Sequence, residues 1–114
     1  GFYPQAIAAY RNAGPGSDPD IQRNLALTLV AADSTIEAIS IYRNLLESQP
    51  NDVSLLYDLG EAFLKQASKD PKAFIQARVA FTHFIKRWNG DSKYTQEAQK
   101  QLQKIQKNQG TITP

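Results

Sequence analysis

The chain has 114 residues, 41% of them hydrophobic, and a formal net charge of +2. That is enough apolar material for one core without covalent staples, and the absence of Cys excludes disulfides, thiolate metal sites and cysteine nucleophiles. No segment approaches the ~18 consecutive apolar residues of a membrane span, and the N-terminus lacks the basic-then-apolar order of a secretory leader, so membrane insertion is not expected.

In chain order, the apolar spacing predicts a first helix over residues 2–12, followed by a loop at 13–18 with the sequence Ala-Gly-Pro-Gly-Ser-Asp. Asp18-Pro19 then puts an acidic cap before a first-turn proline and starts a helix over 19–31. Ser34 followed by Glu37 has capping-box spacing and opens a helix over 34–48. Asn51-Asp52 separates this helix from the next, 53–67. Asp70-Pro71 repeats the acid-proline start for a helix over 71–88, which Asn89-Gly90 ends. Asp91-Ser92 caps a last helix over 92–108, and residues 109–114 read as a flexible tail.

Charge is divided unevenly along this order. Residues 1–64 carry three Lys/Arg against eight Asp/Glu, and residues 65–114 carry ten against three, near −5 and +7. Such asymmetry either decorates solvated helix faces or steers an acidic partner and head-to-tail association.

A repeat underlies the helices. Leu25 and Leu59, Ala26 and Gly60, and Leu29 and Phe63 are pairs separated by 34 residues, in one register. A second set follows each trio with matching steps: Ala38, Tyr42 and Leu45 in one copy, Ala77, Phe81 and Phe84 in the other. Small residues at 26 and 60, facing small residues at 38 and 77, are what two closely crossing helices need. Tyr42 and Phe81 are placed to fill the space beside the crossing, and neighbouring hairpins must stack to complete the core.

This pattern resembles the tetratricopeptide repeat (TPR) family, with Leu56, Leu59, Gly60, Phe63, Ala77 and Phe81 as its fullest match and Leu25, Ala26, Leu29, Ala38, Tyr42, Leu45 and Pro50 as the other copy. Gly1, Tyr3, Ala6, Tyr10 and Ala13 are similar to the second half of a further copy. With no Met at any position, the expectation is a piece of a longer chain. The resemblance implies an all-α fold of about six helices, antiparallel hairpins stacked as a short right-handed solenoid. One TPR domain then spans 1–108, with a half repeat at 1–18, a repeat at 19–52, a repeat with an insertion at 53–91 and a capping helix at 92–108. The insertion, five residues between Gly60 and Ala77, is expected to lengthen both the turn and the second helix. It leaves Phe74 either folded back on the first helix or exposed as an anchor. The run from Phe84 to Tyr94, followed by Glu97-Ala98, resembles TPR proteins of the bacterial cell envelope, with Trp88-Asn89 in place of their aromatic-Pro turn. That favours periplasm or cell envelope over cytoplasm. Tyr94, Ala98, Leu102 and Ile105 form the apolar stripe of the last helix, under an exterior of Gln and Lys.

The residues offer no chemical site. His83 is the one histidine, which excludes zinc sites built from several, and Asp58 and Glu61, three apart on one helix face, read as an ordinary surface pair. Gly14-Pro15-Gly16 lacks the strand context and Lys of a phosphate cradle. The lysines of the second half lack interleaved exposed aromatics, so nucleic acid is not an expected partner. No enzyme activity, cofactor or metal is expected.

In the TPR family the first helices of successive hairpins line a concave groove that receives a peptide or helix. The resemblance thereby implies a groove containing Arg23, Asn24 and Leu27, beside Val30 and Ala31, and Tyr57, Glu61, Leu64 and Lys65, beside Asp58. Leu27 and Leu64 either face that groove or pack against adjacent helices, and Tyr57 has the ring and hydroxyl suited to a half-wet contact. Leu27, Ser54 and Asp58 stand where the chaperone-tail-binding members carry Asn and basic residues, so a C-terminal acidic tail is not the expected ligand. The expected function is a non-catalytic protein–protein interaction module, with a self-associating structural element as the alternative.

Overall fold

Asp18 shows how locally the helices are specified. Its backbone is extended (φ −48°, ψ 137°), its carboxylate accepts from the Asp20 N–H at 2.8 Å, and Pro19 occupies the first turn. The computed structural model describes residues 3–14 and 18–110. Six α-helices run through them: α1 (Tyr3–Asn12), α2 (Pro19–Ala31), α3 (Thr35–Ser48), α4 (Ser54–Gln66), α5 (Ala73–Arg87) and α6 (Ser92–Gly110). No strand occurs among the described residues, and none of the helices is long and apolar enough to cross a membrane.

The chain divides into two units, Gly1–Asn51 and Asp52–Pro114. In the first, α1 packs on α2 and α2 on α3. Leu25, Ala26 and Leu29 of α2 are buried with Ala38, Ile39, Tyr42 and Leu45 of α3, so the repeat-bearing positions form its core. Helix α1 contributes no buried residue. It is tied down at the surface, where Arg11 donates to both Glu37 carboxylate oxygens at 2.7 and 2.8 Å. Both side chains are about half exposed, which limits such a pair to roughly 1 kcal/mol or less.

That ion pair also accounts for a departure at the start of α3. The Ser34–Glu37 spacing predicts a capping box, but Ser34 makes no side-chain cap bond and Glu37 reaches Arg11 instead. The turn before it is closed by backbone. Asp33, at φ 69°, donates its N–H to the Val30 carbonyl while the Ser34 N–H reaches Leu29, the paired bonds of a Schellman ending.

In the second unit α4 packs on α5 and α5 on α6. Helix α4 buries Leu55, Leu56, Leu59, Gly60, Ala62 and Phe63, and α5 answers with Ala73, Ala77, Ala80, Phe81 and Phe84. Burying a Phe or Leu side chain is worth roughly 2 kcal/mol each, so these rows hold the hairpin together. At the crossing, a β-carbon built on Gly60 would lie 2.9 Å from two carbons of the fully buried Phe81 ring. Only a residue without one lets the ring sit there.

The insertion enters mainly the turn. Residues 67–72 connect α4 to α5, against 32–34 between α2 and α3, and α5 has 15 residues to the 14 of α3. The predicted start at 71 is therefore early. Asp70 does accept from the Lys72 N–H at 3.1 Å, but the next bonds, Ala73 to Asp70, Phe74 to Pro71 and Ile75 to Lys72, span three residues and give a tighter entry. Phe74 is half-buried. At the far end Trp88 turns extended (ψ 126°) and its indole N–H donates to the Asp91 carbonyl at 3.0 Å, closing the bend into α6. Asp91 accepts from the Lys93 N–H at 2.9 Å. Ala98 and Ile105 of α6 are buried and Leu102 half-buried, whereas Tyr94 stays 44% exposed. The helix continues past 108 to Gly110; the rest of the expected tail, 111–114, and residues 15–17 of the expected loop lie outside the described residues.

Candidate functional site

The unburied side of α4 is the best-built polar surface in the second unit. With Leu55, Leu59, Ala62 and Phe63 turned inward, helical spacing leaves Tyr57, Asp58, Glu61 and Leu64 half-buried and Lys65 exposed. These positions include all four sequence-predicted residues of that helix, and the structure adds what holds two of them. The Tyr57 ring meets Phe81 edge-on at 5.5 Å and Phe84 at 5.3 Å, so half of its surface belongs to the hairpin core. Phe84 in turn stacks on Trp88 at 5.2 Å, and Trp88 meets Tyr94 edge-on at 5.6 Å. An unbroken aromatic row thus runs from the α4–α5 crossing to the start of α6, ending where the Lys93 ammonium lies 5.0 Å from the Tyr94 ring centre.

The Tyr57 phenol and the Glu61 carboxyl, one helical turn apart, act on each other electrostatically. Burial, then the charges of Glu61 and Glu97, push the phenol up to about 12. Burial also raises the Glu61 carboxyl above its ordinary range; the Tyr57 phenol opposes this, Asp58 and Glu97 add to it, and Lys104 opposes it again. Glu97 and Lys104 belong to α6, at positions that with Gln101 fall at i, i+4 and i+7 on one side of that helix. The site is therefore a face of two helices. Its most telling atoms are Glu61 Oε1 and Gln101 Oε1, both buried and both without a hydrogen-bond donor from the chain.

Glu97, Gln101 and Lys104 were not among the sequence-predicted residues. The Gln and Lys content of α6 reads as a solvated exterior, and only the i, i+4, i+7 spacing hints that one stripe of it has a neighbour. The other predicted residues lie on α2, in the first unit. Leu27 is 47% exposed, Asn24 exposed and Arg23 half-buried. Of the predicted set, Tyr57 and Glu61 act on each other, and Arg23, Asn24 and Leu27 lie on α2 of the first unit.

The surroundings are poor in reactive groups. No cluster of three or more His, Cys, Asp or Glu suited to a metal ion occurs among the described residues, and His83 is exposed on α5. What the α4–α6 face offers is three carboxylates and an amide oxygen over an aromatic floor, with Lys65, Lys100 and Lys104 at its edge and Lys100 3.7 Å from Glu97. Set beside models of known protein families and beside curated proteins, the chain matches none.

Proposed function

We propose that this chain is a non-catalytic protein-binding module made of TPR-type helical hairpins, and that the α4–α6 face receives a segment of a partner protein. The register-locked repeat supports the hairpin reading, since its two copies supply the buried rows of both units. The observation that carries the binding reading is the pair of buried acceptors, Glu61 Oε1 and Gln101 Oε1, left without donors on a surface that also bears Asp58 and Glu97. An unmet buried acceptor costs about 1–3 kcal/mol, which a partner's donor recovers. Both side chains are only partly buried, so a change of rotamer brings either oxygen within reach. The fitting segment carries a Lys or Arg to meet these acceptors and an apolar side chain for the exposed part of Tyr57 and Leu64. The α2 residues Arg23, Asn24 and Leu27 are read as a recognition surface of the first unit, considered by itself, and the setting as a bacterial envelope assembly or another multiprotein assembly.

Peptide display against the purified chain tests this. A random library selected on the wild type is expected to enrich sequences with a basic residue next to apolar ones, and the enriched peptides should shift the amide resonances of α4 and α6. Glu61→Lys should weaken them by about tenfold or more while leaving the helical circular dichroism unchanged. Tyr57→Ala is the poorer probe, because its ring also holds Phe81 and Phe84. Enriched peptides that bind Glu61→Lys as well as wild type, or shift neither helix, would sink the assignment.

A further inference from the structure

The outer side of α5 carries a second surface, of opposite character to the α4–α6 face. From Pro71 to Gly90 the sequence contains Lys72, Arg78, Lys86 and Arg87 and not one Asp or Glu. The buried residues of α5, Ala73, Ala77, Ala80, Phe81 and Phe84, take up one side of the helix. Opposite them lies a line spaced three, four, three and four: Lys72 at the N-cap, Ile75, Val79, Thr82 and Lys86. That is the spacing with which one helix seats another along its length. Ile75 is 51% and Val79 48% exposed. Tyr3, Leu27, Ile36 and Tyr94 are the other exposed large hydrophobics among the described residues, and no other two in the set stand one helical turn apart.

We infer that this stripe docks an acidic amphipathic helix of a partner protein, with aliphatic side chains seated on Ile75 and Val79 and carboxylates beside Lys72 and Lys86. Charge and shape choose this occupant over its rivals. A second copy placed symmetrically on the same stripe would set Lys72 and Lys86 against their own kind. Nor do the described residues offer a matching acid-flanked aliphatic pair elsewhere, since Ile36 and Leu27 each stand alone. An anionic lipid surface meets only two aliphatic side chains here, and Trp88, which would serve as an interfacial anchor, is stacked on Phe84 and bonded to Asp91. The surface is independent of the α4–α6 face, so either assignment can fail without the other.

The test uses three fluorescein-labelled helical peptides of about 18 residues, long enough to span α5. One has Leu at three-four spacing flanked by Glu, the second Lys in place of Glu, and the third Ser in place of Leu. Binding is followed by anisotropy at about 50 and 300 mM salt, next to sedimentation with phosphatidylserine vesicles. The acidic Leu peptide is expected to bind, and more weakly at the higher salt. Ile75→Ser with Val79→Ser should weaken it by about tenfold, as should Lys72→Glu with Lys86→Glu. The charge-reversed variant should gain affinity for the Lys peptide, a result that loss of folding cannot produce. Glu61→Lys should leave binding of the acidic Leu peptide unchanged. The inference is overturned if the acidic peptide does not bind, if either double variant binds it like wild type, if the Ser peptide binds equally well, or if only vesicles retain the protein.

Discussion

Replacing Gly60 by Ala sets two effects against each other at the α4–α5 crossing. In an exposed helix interior the change stabilises by about 1 kcal/mol, because glycine loses the most backbone freedom on folding. Here the new β-carbon would lie 2.9, 2.9 and 3.0 Å from three carbons of the Phe81 ring, inside the ~3.5 Å at which carbon atoms rest. The ring is fully buried and held edge-on by Tyr57 at 5.5 Å, so it has no free direction of retreat. Overpacking of this kind costs about 1–3 kcal/mol. The expected balance is a net loss of about 1 kcal/mol, and a fall in melting temperature of roughly 4 °C for a domain of this size. Urea unfolding followed by circular dichroism measures it. Phe81→Leu removes the obstructing ring carbons, so the double variant should cost less than the two single changes together, by on the order of 1 kcal/mol. If Gly60→Ala is as stable as the wild type or more so, or if the two changes simply add, the close crossing is not what requires glycine at this position.

Two further outcomes follow from the local geometry. Asp18→Ala removes a formed cap bond and should cost about 1 kcal/mol, whereas Ser34→Ala removes none and should change stability by only a few tenths; equal losses in urea unfolding would contradict the difference between the two helix starts. Glu61 holds its proton to higher pH in the folded chain than in the unfolded one, where the value is 4.5, so the folded state binds more protons in that window and stability falls as pH rises from about 4.5 through the folded value. The same sign applies to Tyr57, raised from 10.0 to about 12, whose contribution is lost as pH climbs above 10. Urea midpoints against pH should therefore decline less steeply above pH 4.5 for Glu61→Gln than for wild type, and less steeply above pH 10 for Tyr57→Phe. Parallel profiles would place neither group in a desolvated site.

Much of this was legible along the chain because it depends on spacing alone. The acid-proline pair at 18–19 and the apolar rhythm mark helix starts and buried faces through interactions within one or two turns, and Leu25, Ala26, Leu29, Leu59, Gly60 and Phe63 are all buried. Where a distant residue competes, the local reading fails: Glu37 pairs with Arg11, 26 positions away, and its capping box does not form. The candidate site depends on such distant meetings throughout. Tyr57 and Glu61 entered the expected groove only through the family resemblance, and that Glu97 and Lys104 of α6 act on Glu61 was not legible at all, because glutamine and lysine on a helix carry no mark of what they face. Composition, helix positions and the small residue at the crossing were set by the order of amino acids. Which polar groups lose water, and which acceptors are left without donors, was decided only when the helices of the second unit packed together, since desolvation is a property of the assembled surface and not of any one segment.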